Sequence, residues 1–140
     1  MRISIDDGYV EALGRATYAF ALLEWNAVCC CERMEPNYMH KPGRAKSKKR
    51  TAGEIAEDLV ALAKNHPHRA ACLAPAKKFL HLVAVRNRIV HGHPAQTSTG
   101  KNRLFDDRSV AWTIAKVNAE ADNFTACGEL LNKLLYNELQ

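Results

Sequence analysis

The stretch "FLHLVAVRNRIVHGHP", Phe79 to Pro94, decides how the chain is read. Phe79, Val83 and Val90 recur at helical spacing, which predicts a helix with its apolar stripe turned to a core. Gly92 and Pro94 follow as stop signals, so the helix ends near His91. Stepping back from Val90 by four residues lands on Arg86, in the middle of that stripe. A guanidinium there needs an ion pair, an interface or a wet cleft, because an unpaired buried charge is costly.

Working outward, the same stripe extends back through Ala76 and Cys72 to a start near Arg69, with Pro75 in or near the first turn. The segment "NHPHR" breaks the chain before it, since Pro67 cannot continue a helix and disfavours helical geometry at His66. A preceding helix runs to about Lys64 and opens at "TAGE", where Thr51 caps it and Glu54 returns the bond. The first helix covers about residues 8 to 33, with Leu13, Ala16, Phe20, Leu23, Ala27 and Cys30 on one face. Beyond Pro94, short β-prone pieces around "STGKN" predict a small hairpin with "RLF" on its return limb. Helical spacing resumes from Thr113 through Val117, Ala121, Phe124, Gly128, Leu131 and Leu135. The expected fold is all-α: an up-and-down four-helix bundle over residues 1–140. A basic loop joins helices 1 and 2, and a small β-hairpin precedes the last helix.

At 140 residues and 47% apolar composition the chain fits one packed core and not two. It has no apolar run long enough for a membrane span, and its start lacks the pattern of a signal peptide, so a soluble, cytoplasmic protein is expected. Five cysteines, three of them consecutive at Cys29, Cys30 and Cys31, suit neither a disulfide framework nor a zinc site. Reduced, partly buried thiols are expected, with no metal and no cofactor.

The formal charge is +5, and it is local. "KPGRAKSKKR", residues 41 to 50, carries +6 without an acid, leaving −1 for the remainder. Read blandly the run is a solvated connector. Read functionally, Arg44, Lys46, Lys48, Lys49 and Arg50 neutralise RNA phosphates and release counterions.

Arg86, Asn87 and His91 collect in the last two turns of the third helix. A histidine at a helix C-terminus sits beside partially negative carbonyls, and imidazole trades protons near neutral pH. RNA cleavage by its own ribose 2′-OH needs a base, an acid for the leaving 5′ oxygen, and positive charge on the pentacoordinate phosphate. His91 can move the proton, Arg86 can carry the charge, and Asn87 can orient. One chain holds one such set, so acid and base on opposite sides of a phosphate are met most easily across a symmetric dimer.

"RNRIVH", Arg86 to His91, resembles the arginine-to-histidine signature of the HEPN (higher eukaryote and prokaryote nucleotide-binding) domains. The resemblance extends loosely along the chain, with a long first helix, the motif on the third, and a long last helix after a hairpin. It implies a small, commonly dimeric helical bundle acting as a metal-independent ribonuclease of a toxin–antitoxin, defence or RNA-processing system. It further implies Arg86 and His91 as catalytic residues, Asn87 as the auxiliary polar residue, and a possible cognate antitoxin protein as partner. Other members bind RNA, nucleotides or proteins without cleaving, and that is the alternative reading.

Two further residues flank this set. His93 either shares the histidine's role or merely follows the cap. Glu24, beside the first helix's apolar stripe, is placed to reach Arg86 and orient it, or else is a rim carboxylate. In a purely structural reading, that Arg86–Glu24 pair fixes a dimer register. Trp25 and Trp112 are read as core or interface anchors before base-stacking platforms.

Overall fold

The computed structural model describes residues 4–43 and 49–140. The chain is mostly helical with a small three-stranded antiparallel sheet. Helix α1 spans Asp7–Met34, α2 Ala52–Lys64, α3 Arg69–Val90 and α4 Ile114–Tyr136. α1 packs chiefly along α4, and α2 along α3; α1–α2 and α3–α4 contacts close the set, while α1 and α3 barely meet.

The helix starts are set by local chemistry. Asp6 caps α1 by accepting the Tyr9 N–H, and Thr113 caps α4 by accepting that of Lys116. At α2 both halves of the capping box form, Glu54 N–H to Thr51 and Thr51 N–H to the Glu54 carboxylate. Pro75 is the seventh residue of α3 and not part of its first turn. Between α1 and α2, where the sequence predicts a loop, the chain makes a 3-10 turn, Tyr38–His40. Asn37 enters it in the left-handed region, and the Glu32 carboxylate accepts the N–H groups of Asn37 and Met39.

Phe20, Phe79 and Phe124 tie α1, α3 and α4 together in the core. Phe20 stacks on Phe79 at 6.3 Å and meets Phe124 edge-on at 5.2 Å. Rings so placed add about 0.5–1.5 kcal/mol per pair beyond their burial. Along α3 the buried set differs from the expected stripe. Cys72, Ala76, Phe79 and Val83 are buried as expected, but nearer the C-terminus Leu82, Val85 and Ile89 take over and Val90 is 50% exposed. Arg86 and Val90 lie on a face that opens into a cleft between α1 and α3, so the periodicity continues where the core does not.

The hairpin is present and is joined by a third strand. β1 (His93–Gln96) pairs with β2 (Asn102–Phe105), and β2 with β3 (Ala111–Trp112). Gly100, at φ +80°, makes the first turn; the Asp106 carboxylate organises the second by accepting the N–H groups of Arg108 and Val110. The sheet is fastened to α1 through Tyr9. Its hydroxyl donates to the Trp112 carbonyl at 2.7 Å and accepts from the Leu104 N–H at 3.0 Å. The Arg103 guanidinium lies 4.3 Å from the centre of the Tyr9 ring and binds the Asp6 carboxylate at 2.7 Å. Among the described residues no helix is long and apolar enough to cross a membrane.

Candidate functional site

His91 is the C-cap of α3, its N–H donating to the Asn87 carbonyl at 3.0 Å. The chain then turns at once into β1. Gly92 keeps this corner close-packed, because a Cβ would stand 3.1 Å from both the Ile89 oxygen and the Leu104 side chain and these would have to give way by a few tenths of an ångström. Arg86 therefore sits just over one turn before a rigid junction of helix and sheet.

The Arg86 side chain is half-buried and lies over Phe20, with its guanidinium carbon 4.4 Å from the ring centre. Its Nε is fully buried without an acceptor, and no hydrogen bond or ion pair of the Arg86 side chain is found among the described residues. The group lines a cleft of about 490 Å³, whose walls include Phe20, Phe124, Ile89 and Leu104. Glu24 lines the same cleft. The contact read for it from the sequence is not made, since no ion pair within 4 Å joins Glu24 to Arg86. α1 and α3 stand apart here, with the cleft between them.

His91 is exposed and is not among the residues lining that cleft. Side chains five residues apart on an ideal α-helix point about 140° from each other, and of the two only Arg86 lines this cleft. Asn87 lies between them in sequence and is half-buried. His93 is exposed on β1, where its ring faces that of Phe105 at 6.1 Å.

Arg88 belongs to the same "RNR" run. It too has a fully buried Nε without an acceptor. The Asp106 carboxyl is held below its ordinary range chiefly by the Val110 N–H, with the Arg108 N–H and the charges of Arg108 and Arg88 adding to it. Its signal in the sequence was a second arginine two residues after the first.

Of the basic loop, Arg44, Lys46 and Lys48 lie outside the described residues, and Lys49 is exposed. Arg50 is engaged by the protein itself. It donates to the carbonyls of Tyr38 and Lys41, stands 3.4 Å from the Asp58 carboxylate, and covers the Tyr38 ring at 4.2 Å. The Tyr38 hydroxyl donates to the same Asp58 oxygen. Burial pushes the Cys31 thiol, in the same cluster, up to about 12.

Trp25 is 57% exposed on α1, so it is not a core anchor. It borders a second cleft with Glu24, Met39, Lys49 and Arg50. Trp112 packs against the core with a fully buried Nε1 that has no acceptor. All five cysteines are free thiols, four of them buried, and no group of three or more metal-ligating side chains is found among the described residues. Compared with known proteins, the chain matches no family model, no curated protein and no solved structure.

Proposed function

We propose that the chain is a HEPN-like, up-and-down helical bundle that works in the cytoplasm as a dimeric, metal-independent endoribonuclease on single-stranded RNA. The observation that carries this reading is the Arg86 guanidinium, held at the end of α3 with a buried Nε and no acceptor. A cation kept without a counter-anion is suited to meet one that arrives, and a phosphate gaining charge in a transition state is such an anion. In the proposed reaction the ribose 2′-OH attacks the adjacent phosphorus and the 5′-oxygen bond breaks. His91 exchanges the proton and Arg86 neutralises the pentacoordinate phosphate, leaving a 2′,3′-cyclic phosphate. Asn87 orients the RNA, and the basic loop supplies affinity.

The separation of Arg86 and His91 around α3 favours a composite site, in which the Arg86 and His91 side chains of both copies line one shared cleft. A cognate antitoxin protein would act by covering that shared site. The same separation also favours the second reading, a non-catalytic module in which Arg86 binds RNA, a nucleotide or a protein without a proton-transfer partner.

The test is cleavage of unstructured RNA in excess chelator. Wild type is expected to cut, and Arg86→Ala and His91→Ala each to lose activity with unchanged helical circular dichroism. Scattering should report twice the 15.6 kDa chain mass. A heterodimer of wild type with either variant should have less than half the wild-type activity. Binding without cleavage in wild type would select the second reading, and a requirement for magnesium would sink the mechanism.

A further inference from the structure

The cleft at Arg86 has a chemistry that RNA does not use up. Its walls are mostly carbon, contributed by Phe20 and Phe124 from two helices, Ile89 from a third and Leu104 from the sheet. Its volume of about 490 Å³ lies within the range of small-molecule sites. Arg86 is the one cation among the described residues that line it, and its buried Nε lacks an acceptor. A ribose-phosphate backbone would leave these apolar walls wet. A ligand with an apolar body and an anionic end would cover them and satisfy the guanidinium together.

Glu24 narrows the class. Glu24 lines the same cleft without an ion pair to Arg86, so a second negative charge on the ligand would face repulsion without a second cation to offset it. One charge is matched, two are not. Guanidinium and carboxylate also fit as a two-point fork, which favours a planar monoanion.

We infer that the α1–α3 cleft is a binding site for a small amphipathic monocarboxylate, its carboxylate on Arg86 and its aliphatic or aromatic body among Phe20, Phe124 and Leu104. The inference goes beyond the ribonuclease reading and does not rest on it, because occupancy is measured without RNA. If both hold, such a ligand competes for Arg86 and inhibits cleavage.

The experiment displaces the fluorescent probe anilinonaphthalene sulfonate from the purified protein with octanoate, octanol and octyl phosphate at slightly alkaline pH. Octanoate should displace it at a concentration about tenfold or more below octanol, the size of effect a charge-assisted hydrogen bond gives. Octyl phosphate should be weaker than octanoate because of Glu24. In Arg86→Met the preference for octanoate over octanol should fall to about one. Ala21 is exposed at the cleft, so Ala21→Trp should obstruct it without entering the core, and weaken probe and octanoate together. Equal potency of octanoate and octanol on wild type would overturn the site. So would a preference that survives Arg86→Met, probe binding untouched by Ala21→Trp, or no probe binding at all.

Discussion

The Arg86 guanidinium lies 4.4 Å from the centre of the Phe20 ring, and that ring in turn stacks on Phe79 and meets Phe124 edge-on. The core thus presents an aromatic face to a charge it does not otherwise pair. A cation over a ring gains about 0.5–1 kcal/mol when exposed and about 2 kcal/mol when desolvated, against the about 1–3 kcal/mol that a buried donor without an acceptor loses. The two nearly cancel, so Arg86 adds little net stability through its charge.

That balance gives a prediction about stability. Arg86→Met keeps the stem over Phe20 and removes the donor, so urea unfolding should show it as stable as wild type or up to about 1 kcal/mol more stable. Phe20→Ala should cost about 3–5 kcal/mol by opening a cavity among the three rings. A loss of more than about 2 kcal/mol in Arg86→Met would mean that Arg86 is there for the fold.

A second prediction concerns acid. The hydrogen bond from Arg103 holds the Asp6 carboxyl below its ordinary 3.8, so this group binds its proton more readily in the unfolded chain. Its contribution to stability is complete above the unfolded value and is lost as pH falls through the lower folded value. Denaturant unfolding followed downward through pH 4 should therefore show stability falling in wild type and a shallower fall in Asp6→Asn. Parallel profiles would show that the Arg103–Asp6 contact does not survive in solution.

The cysteines predict the alkaline side. Burial pushes the Cys31 thiol up to about 12 and Cys127 up to about 11, from an ordinary 9.0. Above pH 9 the unfolded chain loses these protons while the fold keeps them, so stability should fall as pH rises further. Half-buried Cys29 should react with a thiol reagent before the four buried cysteines, which should react only on unfolding. Fast titration of more than one thiol in native protein would contradict this.

The basic loop separates into two roles. Arg50→Ala should lower stability by about 2 kcal/mol, since it removes charge-assisted bonds to Asp58 and to two carbonyls. Changing Lys46, Lys48 and Lys49 together to alanine should flatten the salt dependence of RNA binding. An unchanged salt slope would make the segment a connector.

The helices were legible in the sequence because their signals are local. Thr51 with Glu54, Pro67, and Gly92 with Pro94 act within one turn of chain, and the stripe from Leu13 to Cys30 needs only the period of a helix. The hairpin was legible in its turn, but β3 was not. Two residues carry no period, and Ala111–Trp112 is a strand because it pairs with Leu104–Phe105 of β2, with Tyr9, 103 residues away, binding the Trp112 carbonyl.

By itself the sequence determined that Arg86 falls on the apolar side of α3 and that His91 ends the helix, since both follow from spacing and stop signals. Only the tertiary structure decided that this side faces a cleft and not the core. It likewise decided that Glu24 stays out of ion-pair reach, that Val90 is exposed and that Arg50 is turned to Asp58. The outcomes at Arg86, Glu24 and Val90 depend on how far apart α1 and α3 are held by the α1–α4 and α2–α3 pairings. Periodicity assigns a residue to a face of its own helix; the distance to the neighbouring helix decides whether that face is packed, paired or open.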